Sequence, residues 1–224
     1  MTSLQYKINN AIHELQIWFK LNNLVGNTEK MMAVSFHTLQ NKRPVSTHII
    51  YEGRDIQCKM ETKFSGIYIN QNMKWNSHIK YLSSKLNTSY YMINSLKCVT
   101  NPHILRSMYL AYFHAHLRYT LTLCGVDHES KRICKLQIKV IRIISSAGQN
   151  VSCRNLFRDL NILPVPCLYI IGVICYIKLN VDKMKLNEEI HDLCTGHKSD
   201  LHVQFCKTTL LRNSVANCGY QIIK

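Results

Sequence analysis

Residues 75–93, WNSHIKYLSSKLNTSYYMI, decide how the chain folds. Trp75, Ile79, Leu82, Leu86, Tyr90 and Ile93 recur at steps of three and four, the spacing of one helix face. His78, Lys80, Ser83, Ser84 and Lys85 lie largely off that stripe. Downstream the signals stay helical. Pro102 stands where a first helical turn begins, and that helix is expected to run to about Leu123. A further helix is expected over Lys131–Ser145. At about 100° per residue, Lys131, Lys135, Lys139 and Arg142 fall within one quarter of its circumference. Ile133, Leu136, Val140, Ile143 and Ile144 cover the opposite side. Helices are also expected near Arg154–Leu160 and after Pro164. The apolar run Ile162–Ile177 is too short for a membrane span and carries Pro164 and Pro166 near its start, so it reads as a core helix. From Val181 to Lys224 the pattern is weak.

Upstream of Trp75 the pattern is different. Ile12, Leu15, Trp18 and Phe19 predict an amphipathic helix over 8–21, broken by Asn22–Asn27 with Gly26 as its left-handed stop. Met31–Phe36 reads as a short strand and residues 41–44 as a loop. His48–Tyr51 and Asp55–Lys59 flank Glu52-Gly53, a hairpin signal. Phe64–Ile69 reads as one more strand. The expected fold class is therefore α+β, mainly α: a small antiparallel β segment followed by an α-helical bundle.

Ten cysteines are spread singly, with no Cys-x-x-Cys, and no apolar segment follows the first residues as in a signal peptide. They read as reduced, buried small side chains of an intracellular protein of the nucleus or cytoplasm. Lys and Arg number 28 against 13 acids, a formal net charge of +15. The excess is concentrated. Thr62–Arg158 holds 14 basic residues and two acids, Asp127 and Glu129; from Thr62 to Val126 there is no acid at all. A merely solvated surface mixes both signs. A surface that tracks phosphates does not, because a carboxylate there cancels a lysine.

The order of short motifs then carries a resemblance. Trp18-Phe19-Lys20-Leu21-Asn22-Asn23-Leu24, Asn27-x-x-Lys30-Met31 and Phe36 resemble a segment of reverse transcriptases from non-LTR (LINE-type) retrotransposons. Phe64-Ser65-Gly66-Ile67-Tyr68-Ile69 looks like that family's primer-grip block, and Trp75-x-x-His78-Ile79 with Lys85-Leu86 like the start of its thumb. Leu117-Arg118-Tyr119, Gln137-x-x-x-Ile141-Arg142 and Leu163-Pro164-Val165-Pro166-x-Leu168-Tyr169 follow in the family's order, and Gly219-Tyr220 is similar to a later block. The chain departs from the family at Met31, Ser65, Tyr119-Thr120 and Cys124-Gly125, in the manner of a decayed or domesticated copy. The resemblance implies three parts: a palm remnant over 1–72, a thumb-like bundle over 73–180 and a C-terminal extension over 181–224.

Nucleotidyl transfer requires two metal ions held by carboxylates. In this family those come from an early Asp and a Tyr-x-Asp-Asp turn. The six aspartates here, at 55, 127, 159, 182, 192 and 200, include no doubled pair. The resemblance implies that the fingers and the catalytic half of the palm precede this chain. No catalytic residue and no cofactor are expected, with Mg2+ confined to the full-length family member. Lys30 matches a family position proposed to protonate pyrophosphate, a role that is empty without metals.

The expected ligand is an RNA or DNA backbone, bound without sequence preference, with no membrane and no identified protein partner. Its contacts are expected from Lys131, Lys135, Lys139 and Arg142, then from Lys80, Lys85 and Arg118. The plain alternative for the row is a solvated helix face. Trp75, Tyr81, Tyr90 and Tyr91 read as core more than as base-stacking groups. His114 and His116 fall on different helix faces. His191-x-x-Cys194-x-x-His197-x-x-x-x-His202-x-x-x-Cys206 has zinc-type ligands at a spacing that fits no standard finger. Two rival readings of the whole chain are a relic without biochemical role and, if upstream sequence supplies the catalytic half, an active polymerase.

Overall fold

The computed structural model describes residues 3–40, 48–125, 127–191 and 197–223; the loop expected at 41–44 lies outside them. The fold is α+β, mainly α. It divides into two compact units, Met1–Ser77 and His78–Lys224.

The first unit opens with α1 (Ser3–Leu21). The helix ends five residues before Gly26. Asn23 adopts the left-handed conformation (φ 53°), and Leu24 N–H reaches back to the Phe19 carbonyl at 2.8 Å, closing a Schellman turn. Asparagine tolerates that backbone because its short polar side chain bonds locally. Gly26 is required for another reason: a Cβ there would sit 2.5 Å from the Tyr51 hydroxyl. Tyr51 is a buried side chain in a unit whose other apolar groups stay largely at the surface.

Two hairpins follow. β1 (Ile50–Tyr51) pairs antiparallel with β2 (Arg54–Asp55), and Glu52 and Gly53 both take positive φ, 49° and 74°. That is the primed turn whose twist matches the strands. β3 (Glu61–Phe64) pairs with β4 (Ile67–Asn70) across Ser65 (φ 45°) and Gly66 (φ 81°). The single strand expected over Phe64–Ile69 is thus a turn followed by a strand. The expected strand Met31–Phe36 does not form either. Ala33 makes a lone parallel bridge to Cys58, and His37 N–H bonds the Gln71 carbonyl, so this segment divides its bonds between distant partners instead of building a ladder.

The second unit begins within the first turn of α2 (Asn76–Leu96). Its buried face carries Ile79, Leu82, Leu86 and Ile93 as expected, and also His78 and Ser83, which sequence periodicity placed off the stripe. Asn101 caps α3 (Pro102–Met108), its side-chain oxygen accepting from Ile104 N–H at 2.9 Å. α3 runs without a break through a π-helical turn, Tyr109–His114, into α4 (Ala115–Cys124). The sequence explains the π turn. Leu105, Tyr109, Phe113, Leu117 and Leu121 are all buried and recur at steps of four. On a regular α-helix each such step drifts by about 40°, or about 160° overall. Absorbing one extra residue in a wider turn brings the stripe back to one side.

α5 (Ser130–Ile144), α6 (Cys153–Asp159) and α7 (Val165–Leu179) complete the bundle, with α7 packed against α4, α5 and α9 (Val215–Ile223). α5 and α6 also end on non-glycine left-handed residues, Ser146 and Asn161 (φ 50° each). Buried Gln137, on α5, fastens the loop before α7. Its amide nitrogen donates to the Tyr109 hydroxyl (2.8 Å) and the Leu163 carbonyl (2.9 Å), and its oxygen accepts from Val165 N–H (2.9 Å). α7 buries Val165, Val173 and Ile177 and leaves Ile170, Ile171 and Ile174 exposed. Beyond it lie a short helix, α8 (Thr209–Arg212), and α9, whose Gly219 lies against Ile177 and Val173. Residues 181–224, read from sequence as an extension, thus contribute a helix to the same unit. Among the described residues no helix is long and apolar enough to cross a membrane.

Candidate functional site

The basic row belongs to α5, a sharply two-sided helix. Ile133, Gln137, Val140, Ile141 and Ile144 are buried, and Lys131, Lys135 and Lys139 are exposed on the opposite side. The apolar face fixes the rotation of the helix, and the lysines point to water as a consequence. Successive lysines are four residues apart, about 6 Å along the axis. The row therefore spans about 12 Å, against about 3.4 Å of rise per nucleotide of one strand.

Along the sequence, the acids nearest to this row sit at the start of the helix. Asp127 accepts from Glu129 N–H (3.0 Å), and Glu129 pairs with Arg132 (3.4 Å). Carboxylates are favoured there because they face the positive end of the helix dipole. Among the described residues no acid pairs with Lys131, Lys135 or Lys139. Arg142 shares their angular sector but not their exposure. It is half-buried, and its Nη2 donates to the Val151 carbonyl at 3.2 Å, holding the loop that follows α5. The structure gives it an anchoring role within the bundle.

The other expected contacts are scattered. Lys80 and Lys85 are exposed on α2, but five residues place them about 140° apart around the helix. Lys85 Nζ lies 5.8 Å from the Tyr81 ring centre. Arg118 is exposed on α4, and its charge, after burial, helps hold the His114 imidazole below its usual pKa. Tyr81 and Tyr90 are half-buried, whereas Tyr91 is exposed and meets Tyr90 edge-on at 5.4 Å. That exposure departs from the core assignment.

The remaining motif residues have structural settings of their own. Trp18 is 53% exposed beside Phe19, and Phe64 is 68% exposed at the end of β3. Asn27 Oδ1 accepts from Glu29 N–H (3.1 Å) and Lys30 N–H (3.3 Å), shaping the turn that carries exposed Lys30. Gly66 supplies a left-handed turn position. Trp75 is half-buried. His78 is only 1% exposed, and burial lowers its pKa, favouring the neutral imidazole. Gln137 is the residue that sequence reasoning left without a role. The available signal was a polar side chain inside the apolar arc of α5.

No three ligand-type side chains converge as in a closed metal centre among the described residues. Set beside known proteins, the chain matches no family model, no curated protein and no solved structure.

Proposed function

We propose that the chain is the distal part of a non-LTR reverse transcriptase, the end of the palm followed by the thumb, and that it holds nucleic acid by its backbone without reading sequence. The observation that carries the binding is the exposed, acid-free row Lys131, Lys135 and Lys139, aimed at solvent by the buried face of α5. Ammonium groups of this kind displace condensed counterions from phosphates and make no base-edge contacts. Lys80, Lys85 and Arg118 contribute from other helices as additional, separately placed charges. The family assignment rests on the order of the motifs. In this reading the chain polymerises nothing by itself, and Mg2+ belongs to the catalytic half.

Filter binding of a single-stranded RNA and of a duplex DNA tests this. Retention that falls steeply on raising salt, and is similar for unrelated sequences, is the expected result. Salt-independent retention, or equal retention of a neutral polymer, contradicts it.

A second reading, a relic with no biochemical role, draws on the first unit, where Trp18, Leu21 and Phe64 are 53%, 78% and 68% exposed. Expression separates the two readings: a relic aggregates, and a binding module stays monomeric and retains nucleic acid.

A further inference from the structure

The histidine-rich stretch near the C-terminus is not used by the proposed function, and the structure sorts its members. Cys194 lies outside the described residues. Cys206 is engaged elsewhere, its sulfur accepting from the amide of buried Asn217 at 2.8 Å. His197 turns to Asp200, with Nδ1 2.8 Å from the carboxylate. His191 and His202 come together, their ring centres 5.5 Å apart and their planes at 61°. Both line one cavity of about 310 Å³, together with Asn187, Ser199, Asp200 and Tyr220.

A backbone frame holds this pair. Leu186 and Leu201 form an antiparallel bridge, flanked by Asn187 N–H to the Asp200 carbonyl (3.0 Å) and His202 N–H to the Lys185 carbonyl (2.8 Å). His191 N–H bonds the Asn187 carbonyl at 2.9 Å. Asn187 also fixes the chemistry of His202. Its Nδ2 donates to the His197 carbonyl (2.9 Å), which orients the amide so that Oδ1 faces His202 Nδ1 at 3.2 Å. An amide oxygen only accepts, so His202 carries its proton on Nδ1 and presents a bare lone pair at Nε2. This is the arrangement that prepares an imidazole for a metal, the second nitrogen being tied to an oxygen acceptor.

We propose that His191 and His202 bind a borderline divalent cation, Zn2+ or its chemical neighbours, in an open site completed by water, with Asn187 as the positioning residue. The spacing agrees. Two imidazoles bound at about 2.0–2.1 Å to one tetrahedral ion have ring centres about 5 Å apart. Among the described residues these two imidazoles are the ligands the site offers, and no group of three His, Cys, Asp or Glu side chains gathers there.

The test is titration of the full chain with Zn2+ by calorimetry, and with Co2+ by visible absorption. One equivalent is expected to bind. His191→Ala and His202→Ala each abolish that binding, Asn187→Ala weakens it about 10-fold or more, and exposed His116→Ala leaves it unchanged. Unaltered binding in His202→Ala or Asn187→Ala overturns the proposal. So does binding that survives both histidine substitutions but is lost on thiol alkylation. Nitrogen-15 spectra of the unsubstituted protein guard against misfolded variants: Zn2+ must shift the His202 Nε2 resonance and one ring nitrogen of His191, and their constancy would mean an edge-to-face ring contact and nothing more.

Discussion

Replacing Gln137 by leucine is expected to loosen the second unit more than its size suggests. The side chain is 1% exposed and of nearly the same volume as leucine, so the change opens no large cavity. It removes three hydrogen bonds at once, to the Tyr109 hydroxyl, the Leu163 carbonyl and Val165 N–H. Each bond contributes about 1 kcal/mol, and a buried group left without a partner costs about 1–3 kcal/mol. Some of the stranded groups gain water where the Leu163 loop meets solvent, which places the total at about 3–5 kcal/mol. That is a large share of the roughly 5–15 kcal/mol that holds a domain together. Tyr109→Phe isolates one arm. Burial pushes the Tyr109 phenol up to about 12, so it remains a neutral donor and acceptor, and its removal is expected to cost about 1 kcal/mol. Urea unfolding of the full chain, followed by circular dichroism, measures both variants and the double variant. The reasoning fails if Gln137→Leu costs less than about 1 kcal/mol, or if Tyr109→Phe costs as much as Gln137→Leu.

Two further outcomes follow from packing and charge. Gly219→Ala is expected to lower stability by about 1–3 kcal/mol, because the new Cβ would meet Ile177 Cδ1 at 2.4 Å and Val173 Cγ1 at 3.2 Å. An unchanged urea midpoint would mean that α9 does not lie against α7. Stability is also expected to fall on acidification. Burial lowers the pKa of both His78 and His114 below that of a free imidazole, so the unfolded chain binds protons that the folded one refuses. Their effect is absent above about pH 6.5 and grows as pH falls from there towards the folded values. Urea midpoints compared at neutral and mildly acidic pH should drop for the unsubstituted protein and drop less for His78→Gln; parallel losses would contradict the assignment.

Much of the bundle was legible because its cues are local and repeated. The stripe from Ile79 to Ile93, the proline at the start of α3 and the two-sided pattern of α5 each specify an element through periodicity or a cap. The misreadings arose where one residue type serves two purposes. Ser65-Gly66 sits inside an apolar run, and only its backbone freedom marks it as a turn. Asn23, not Gly26, stops α1, because asparagine also accepts the left-handed region, while the glycine makes room for Tyr51. His78 and Gln137 are polar residues on buried faces, and a hydrophobic pattern has no term for them; Gln137 is there because the Tyr109 hydroxyl and the backbone of residues 163 and 165 satisfy it. Of the basic residues, the exposed lysines of α5 were legible from helical angle alone. The turning of Arg142 onto the Val151 carbonyl depends on a loop whose path the sequence does not encode locally.

The most direct test of the account is the salt dependence of duplex binding by a variant carrying Lys131→Gln, Lys135→Gln and Lys139→Gln. If the α5 row contacts phosphates, the slope of log affinity against log salt falls by about 2–3, while Lys7→Gln, Lys20→Gln and Lys59→Gln together, an equal loss of charge from the first unit, leave it nearly unchanged. Equal slopes for the α5 variant and the unsubstituted protein would contradict the account, and so would an equal fall in both triple variants.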